Sequence, residues 1–95
     1  MPIQFTWDIA KAESNRLKHG VAFQEALTVF GDLLARIHDD PGHSGDEGRE
    51  IIVGHSVRRR LLVVSFTERR GVVRLISARR ATRHEREDYE EGTRR

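Results

Sequence analysis

Residues 50–80, EIIVGHSVRRRLLVVSFTERRGVVRLISARR, decide the fold. Three segments rich in β-branched and aliphatic residues, EIIVGHSV, RLLVVSFTE and VVRLISA, follow one another across short connections around Arg58 and Arg59 and around Arg69 to Gly71. Connections that short join antiparallel neighbours, because a parallel crossover takes about a dozen residues or more. In the third segment strand parity puts Val73, Leu75 and Ser77 on one face and Arg74, Ile76 and Ala78 on the other, with Arg80 on the face of Arg74. An apolar strand accepts a charge such as Arg74 only on an open face or paired with a carboxylate, for which Glu68 and Glu50 are in range.

Upstream, Ile3 to Trp7 reads as a short strand with Ile3, Phe5 and Trp7 on one face. Asp8 has the position of an N-cap for a helix through His19, and Gly20 ends it. Phe23, Ala26, Leu27 and Phe30 fall at i, i+3, i+4 and i+7, so a second helix buries that stripe and turns Gln24, Glu25 and Thr28 outward before closing at Gly31 and Asp32. Leu33 to Ile37 reads as a strand, and residues 39–49 carry the Pro, Gly, Asp and Ser content of an exposed loop. Downstream, Thr82-Arg83-His84-Glu85 has the form of a capping box and starts a helix that ends by Gly92, apolar only at Tyr89. The expected architecture is one α+β domain over residues 1–95: an N-terminal strand, two helices, an antiparallel sheet and a C-terminal helix over 82–92.

The chain has 95 residues and no cysteine, so it offers neither a disulfide framework nor a thiolate metal site nor a cysteine nucleophile. It lacks a signal-like N-terminus and any apolar run long enough to span a membrane, and the expected location is cytoplasmic. Its net charge is only +2, yet residues 1–50 carry five basic and nine acidic side chains while residues 51–95 carry twelve basic and six acidic. All twelve of the latter are arginines, whose planar fork matches phosphate.

Several residues carry candidate chemistry. Lys18 and His19 stand at the end of the first helix, where they serve as a proton-transfer or phosphate-holding pair or simply complement the helix dipole. Arg79 and Arg80 precede the capped helix, so their guanidinium groups and the positive helix end are expected to converge on one anion. Glu68, near the Arg74 strand, fits a general base or an ion-pair partner. His38, Asp39, Asp40 and His43, and the i, i+4 pair His84 and Asp88, lack the converging spacing of a metal site; no metal or other cofactor is expected, and no glycine-rich phosphate loop is present.

The stretches WDIAKAESNRLKHGVAFQEALTVFGD (7–32) and LLVVSFTERRGVVRLISARRATRHEREDYEEG (61–92) closely resemble the BrnT family of type II toxin-antitoxin ribonucleases. The resemblance implies a RelE-like fold, RNA cleavage, and a BrnA-type antitoxin with a ribbon-helix-helix DNA-binding domain, two toxins joining one antitoxin dimer. The residues that match include Trp7, Asp8, Lys11, Asn15, Lys18, His19, Gly20, Glu25, Thr67, Glu68, Arg74, Ser77, Arg79, Arg80 and Glu85. Ala22 departs from the pattern where a capping Ser or Asp is usual, Leu33 where Pro is usual, and Arg59 where a hairpin Gly is common. The expected reaction is metal-independent attack of an RNA 2′-hydroxyl on the adjacent phosphate. Lys11, Arg74, Arg79 and Arg80 hold phosphates, and Lys18, His19 and Glu68 handle protons, with His19 the acid. The same arginines also suit a non-catalytic nucleic-acid-binding module, and the polar last helix suits a partner-docking module.

Overall fold

A computed structural model describes residues 3–40 and 48–93. The elements run β1 (Gln4–Thr6), α1 (Ile9–His19), α2 (Phe23–Ala26) continued by a 3-10 turn (Leu27–Gly31), β2 (Arg36–Asp39), β3 (Arg49–His55), β4 (Leu61–Arg69), β5 (Val72–Arg80) and α3 (Arg83–Thr93). One sheet takes all five strands in the order β1-β5-β4-β3-β2. The three segments of residues 50–80 are antiparallel neighbours, as their short connections require. The sheet is nevertheless mixed, because β1 pairs parallel to β5 once α1 and α2 have carried the chain across one face.

Local chemistry sets the first helix as expected. Asp8 Oδ1 accepts the Lys11 N–H at 3.0 Å, and Gly20, at φ 69°, donates its N–H to the Arg16 carbonyl at 2.9 Å. The second helix is shorter than its stripe predicts. It starts at Ala22 with no side-chain cap and tightens into 3-10 winding after one turn. Glu25, expected outward, is buried, because Arg60 reaches it with two hydrogen bonds at 2.9 and 2.5 Å and the Ser56 hydroxyl donates at 2.6 Å. A buried carboxylate is tolerable when its charge and lone pairs are answered this fully.

The strand expected at 33–37 begins three residues later. Asp32 accepts the Leu34 N–H with its side chain and the Ala35 N–H with its carbonyl, and the turn leaves Leu33 98 % exposed. Of the loop expected at 39–49, residues 41–47, His43 among them, lie outside the described residues. In the hairpin after β3, Arg59 takes φ 63° without being glycine; the next hairpin places Arg70 and Gly71 at φ 53° and 81°.

The main core lies between the sheet and α1 and α2. Val21, Phe23, Val29, Leu62, Val64 and Leu75 are all nearly or wholly buried there, with Phe5, Trp7 and Phe30 packed against them. Phe30 makes edge-to-face contacts with Phe5 and Phe66 at 5.2 and 5.0 Å between ring centres. Among the described residues the other face holds a smaller cluster, Val53, Leu61 and Val63 under Tyr89 of α3, with Ile51 and Ala81 against it.

Candidate active site

A one-residue slip between β4 and β5 determines which arginines share a face. Ser65 pairs with Ser77 but Phe66 pairs with Leu75, so Ile76 is an extra residue and parity inverts beyond it. Arg74 lies opposite Thr67 and Arg79 opposite Val63, both on the face away from α1 and α2, whereas Ala78 and Arg80 pair with Val64 and Leu62 on the core face. The expected sharing of a face by Arg74 and Arg80 is therefore corrected: Arg79 shares it, and Arg80 points away. The expected convergence of Arg79 and Arg80 on one anion fails for the same reason.

The register arranges the open face in rows that cross the strands. Arg36, Val53, Val63 and Arg79 form one row; His38, Ile51, Ser65 and Ser77 the next; Arg49, Thr67, Arg74 and Thr6 the third. Successive rows are about 7 Å apart, two residues along a strand. A hydroxyl-bearing floor thus runs between two rows that both contain arginines. A shallow cavity of about 350 Å³ lies at the far end, lined by Thr6, Thr67, Arg69, Val72 and Arg74.

β1 ends level with Arg74, and beyond it the edge of β5 is closed by a side chain. Asn15 of α1 accepts the Ala78 N–H at 3.0 Å and donates to the Ala78 carbonyl at 2.8 Å and to the Val21 carbonyl at 2.9 Å, so its amide takes the place of a neighbouring strand. Around the helix from Asn15, Ala12 and His19 fall on the core side and Lys11 and Lys18 on the opposite side, that of Arg74. Asp8 feels both cations. Its carboxyl lies below the ordinary range, chiefly through the Lys11 N–H and further through the charges of Lys11 and Arg74.

The sequence-derived candidates therefore divide. Lys11, Lys18, Arg74 and Arg79 border the open face. His19, Arg80 and Glu68 belong to the other, where Glu68 shares the face of Phe66 and accepts the Gly71 N–H at 2.9 Å within the hairpin. Arg74 makes no ion pair among the described residues, with Glu68 or with Glu50.

Helix α3 crosses the open face. At its start Thr82 and Glu85 form the expected capping box, with bonds of 2.8 and 3.2 Å. The Glu85 carboxylate also takes both arms of the Arg79 fork at 2.8 Å, occupying the seat where the sequence suggests a phosphate. That pairing, helped by the cap and opposed by partial burial, brings the Glu85 carboxyl down to about 2. Further along, Tyr89 donates to Asp32 at 2.8 Å and lies 3.3 Å from His55 Nδ1; burial, then the hydrogen bond to Asp32 and its charge, push the hydroxyl up to about 12. At the far end of α3 the Arg36 guanidinium of β2 lies against Gly92.

Sequence reasoning missed Glu85 as a site residue because its capping role accounted for it completely. It missed the Asp32, His55 and Tyr89 cluster because the three come from separate elements.

An α+β domain that packs one face of its sheet under α1 and α2 and carries arginines on the other, which α3 covers only in part, presents a cationic surface of the kind that suits a polyanion. Comparison with known proteins gives this class its family. The family model described as "Ribonuclease toxin, BrnT, of type II toxin-antitoxin system" matches residues 7–85, and the chain belongs to that family. It is thus a ribonuclease toxin of a type II system, with RNA as substrate and an antitoxin as partner. The 1.1 Å crystal structure of the Brucella abortus ribonuclease toxin BrnT is similar in fold, with a TM-score of 0.68 at 21 % identity over 85 % of this chain and 99 % of that one. A search of curated protein sequences returns no significant match.

Proposed function

We propose that this toxin cleaves RNA without a metal ion, with the strand laid along the row of Ser65 and Ser77. Arg74 and Arg79 hold phosphates from either side, and Lys11 and Lys18 attract the backbone from the rim of α1. The observation that carries the reading is the β5 bulge, which puts Arg74, Ser77 and Arg79 on one face that α3 covers only in part. The nucleophile is the substrate's own 2′-hydroxyl, so the protein has to supply charge stabilisation for the phosphorane-like transition state and a path for two protons. Of the proton-transfer candidates read from the sequence, Lys18 is on the side of the RNA, and His19 and Glu68 are not. The fold is RelE-like in this reading, and the protein acts in the cytoplasm. No helix among the described residues is long and apolar enough to cross a membrane.

The antitoxin in this reading is a BrnA-type protein with a ribbon-helix-helix domain, and two toxins join one antitoxin dimer. Its toxin-binding segment covers the open face and answers Arg74 and the lysines with carboxylates, so it competes with RNA, and association slows as salt rises. The test is cleavage of a defined RNA in EDTA. The expected products carry a 2′,3′-cyclic phosphate and a 5′-hydroxyl. Products with a 5′-phosphate, or binding without cleavage, overturn the reading, the latter in favour of a non-catalytic module.

A further inference from the structure

A larger cavity, of about 470 Å³, opens where α3 passes over the row that begins at Arg36. Val53 and Tyr89 give it an apolar wall. Its volume falls within the range of pockets that take a small organic ligand, and a nucleotide is of that size. Of the side chains that border it and can carry a proton, Glu85 comes from the first turn of α3, Asp88, Tyr89 and Glu91 from further along that helix, and His38 alone from β2. Arg36 borders it at the Gly92 end, and at the other end Arg79 is bonded to the bordering Glu85. His38 is exposed and makes no ion pair among the described residues, so nothing in the packing accounts for an imidazole at the end of the serine row.

We propose that Glu85 and His38 are the general base and the general acid of the cleavage, acting on one phosphate drawn into this cavity by Arg79. The inference rests on the metal-independent reading above. The Glu85 carboxylate takes the proton of the ribose 2′-hydroxyl, and the 2′-oxygen forms its bond to phosphorus. The bond from phosphorus to the 5′-oxygen of the next nucleotide breaks with its electron pair on that oxygen, which takes a proton from the His38 imidazolium. The products are a 2′,3′-cyclic phosphate and a 5′-hydroxyl. Glu85 is left protonated and His38 neutral, and solvent exchanges that one proton.

The resting geometry also gives the pair a switch. In the free protein the Arg79 fork occupies both carboxylate oxygens and suppresses their basicity. A substrate phosphate competes for the same fork, and as it takes hold Glu85 loses the hydrogen bonds that held its proton affinity down. The other charges around the carboxylate are Arg36 and His38 from β2 and Asp88 and Glu91 from α3 itself. The two α3 carboxylates lie further along the helix and leave the end of the cavity at Glu85 and Arg79 as the place for a phosphate.

The test uses the full chain in EDTA with a short RNA, and with the same RNA carrying sulfur in place of the 5′-oxygen at the bond the wild-type protein cuts. A thiolate leaves without protonation, so only an acid's loss is rescued by it. Glu85→Gln, which keeps the cap, is expected to lower kcat about 10²- to 10⁴-fold on both substrates. His38→Ala is expected to lose a similar factor on ordinary RNA and to return to within about tenfold of wild type on the sulfur substrate. His84→Gln, on the outer side of α3, leaves both rates unchanged. Wild-type rates in either of the first two variants, or an equal loss for His38→Ala on both substrates, overturn the pair while the ribonuclease reading stands. If Glu85→Gln fails to fold, the sulfur rescue of His38→Ala decides alone. A wild-type chain that cuts neither RNA without metal overturns the reading itself and the pair with it.

Discussion

The two faces of the sheet differ in what satisfies their charges. On the core face, Glu25 of α2 is buried and is answered by Arg60, by Ser56 and, more loosely at 3.7 Å, by Arg58. On the open face Arg79 is answered by one carboxylate, Glu85, and by the Arg80 carbonyl at 3.2 Å, with both side chains of the pair partly in solvent, and Arg74 by no carboxylate in contact among the described residues. A charge that is completely partnered fixes the fold, because exchanging its partners costs the desolvation of every group involved. A charge with one solvent-shared partner can trade it for a ligand. The same residue type thus supports the structure on one side of the sheet and remains able to exchange its partner on the other.

The largest expected effect separates the faces by stability. Phe23 is wholly buried in the main core, and Phe23→Ala is expected to cost about 3–5 kcal/mol, measured by urea denaturation. The double change Arg74→Ala with Arg79→Ala is expected to cost about 1 kcal/mol of stability, from the lost Glu85 pair, yet to slow RNA cleavage by about 10²-fold, roughly 2.7 kcal/mol. The matching change on the other face, His19→Ala with Arg80→Ala, is expected to leave cleavage within about threefold. Cleavage lost from the second pair and kept in the first would move the active surface to the core side.

Asn15 sits at the seam between the faces and gives the next largest effect. Asn15→Leu strips the Ala78 N–H and carbonyl of their partners at a buried edge, which is expected to cost about 2–3 kcal/mol. Hydrogen exchange at the Ala78 amide should accelerate more than at amides in the middle of β4. An unchanged Ala78 amide would mean that packing of α1 alone closes that edge.

That seam also marks how far the sequence could be read. Asp8, Gly20 and the Thr82–Glu85 box announce helix ends because each acts within three or four residues, and the antiparallel β3, β4 and β5 follow from connection length alone. The bulge at Ile76 has no such local signature. Nothing in VVRLISARR marks one residue as extra, and a single inserted residue exchanges the faces of Arg79 and Arg80. Asn15 was visible only as part of a pattern, since its partner is 63 positions away. Glu25 was assigned outward because polarity normally tracks exposure, and the arginine that overrides the rule lies 35 residues on.

The smallest expected effect is a titration that compares the two carboxylates directly. Both Glu85 and Glu25 are held below their ordinary value by an arginine, so in each case stability is fully present above about pH 4.5 and is lost as pH falls through the lowered value; for Glu85 that window runs from 4.5 down to about 2. Arg79 is 40 % exposed in its side chain, so solvent screens its pair with Glu85, and the contribution is expected to be only about 1 kcal/mol. Arg60 and Glu25 are 21 % and 6 % exposed, and breaking that pair is expected to cost about 3 kcal/mol. The measurement is the stability difference between wild type and Glu85→Gln, and between wild type and Glu25→Gln, from pH 6 down to pH 2. Both differences should shrink with falling pH as the wild-type carboxylates take up protons, from a larger starting value for Glu25. Repeating the series at about 0.5 M salt should erase most of the Glu85 difference and little of the Glu25 difference, because mobile ions reach only the first pair. Equal differences, equally reduced by salt, would mean that the open face holds its charge as firmly as the core does, and Arg79 would then have no fork to offer a phosphate.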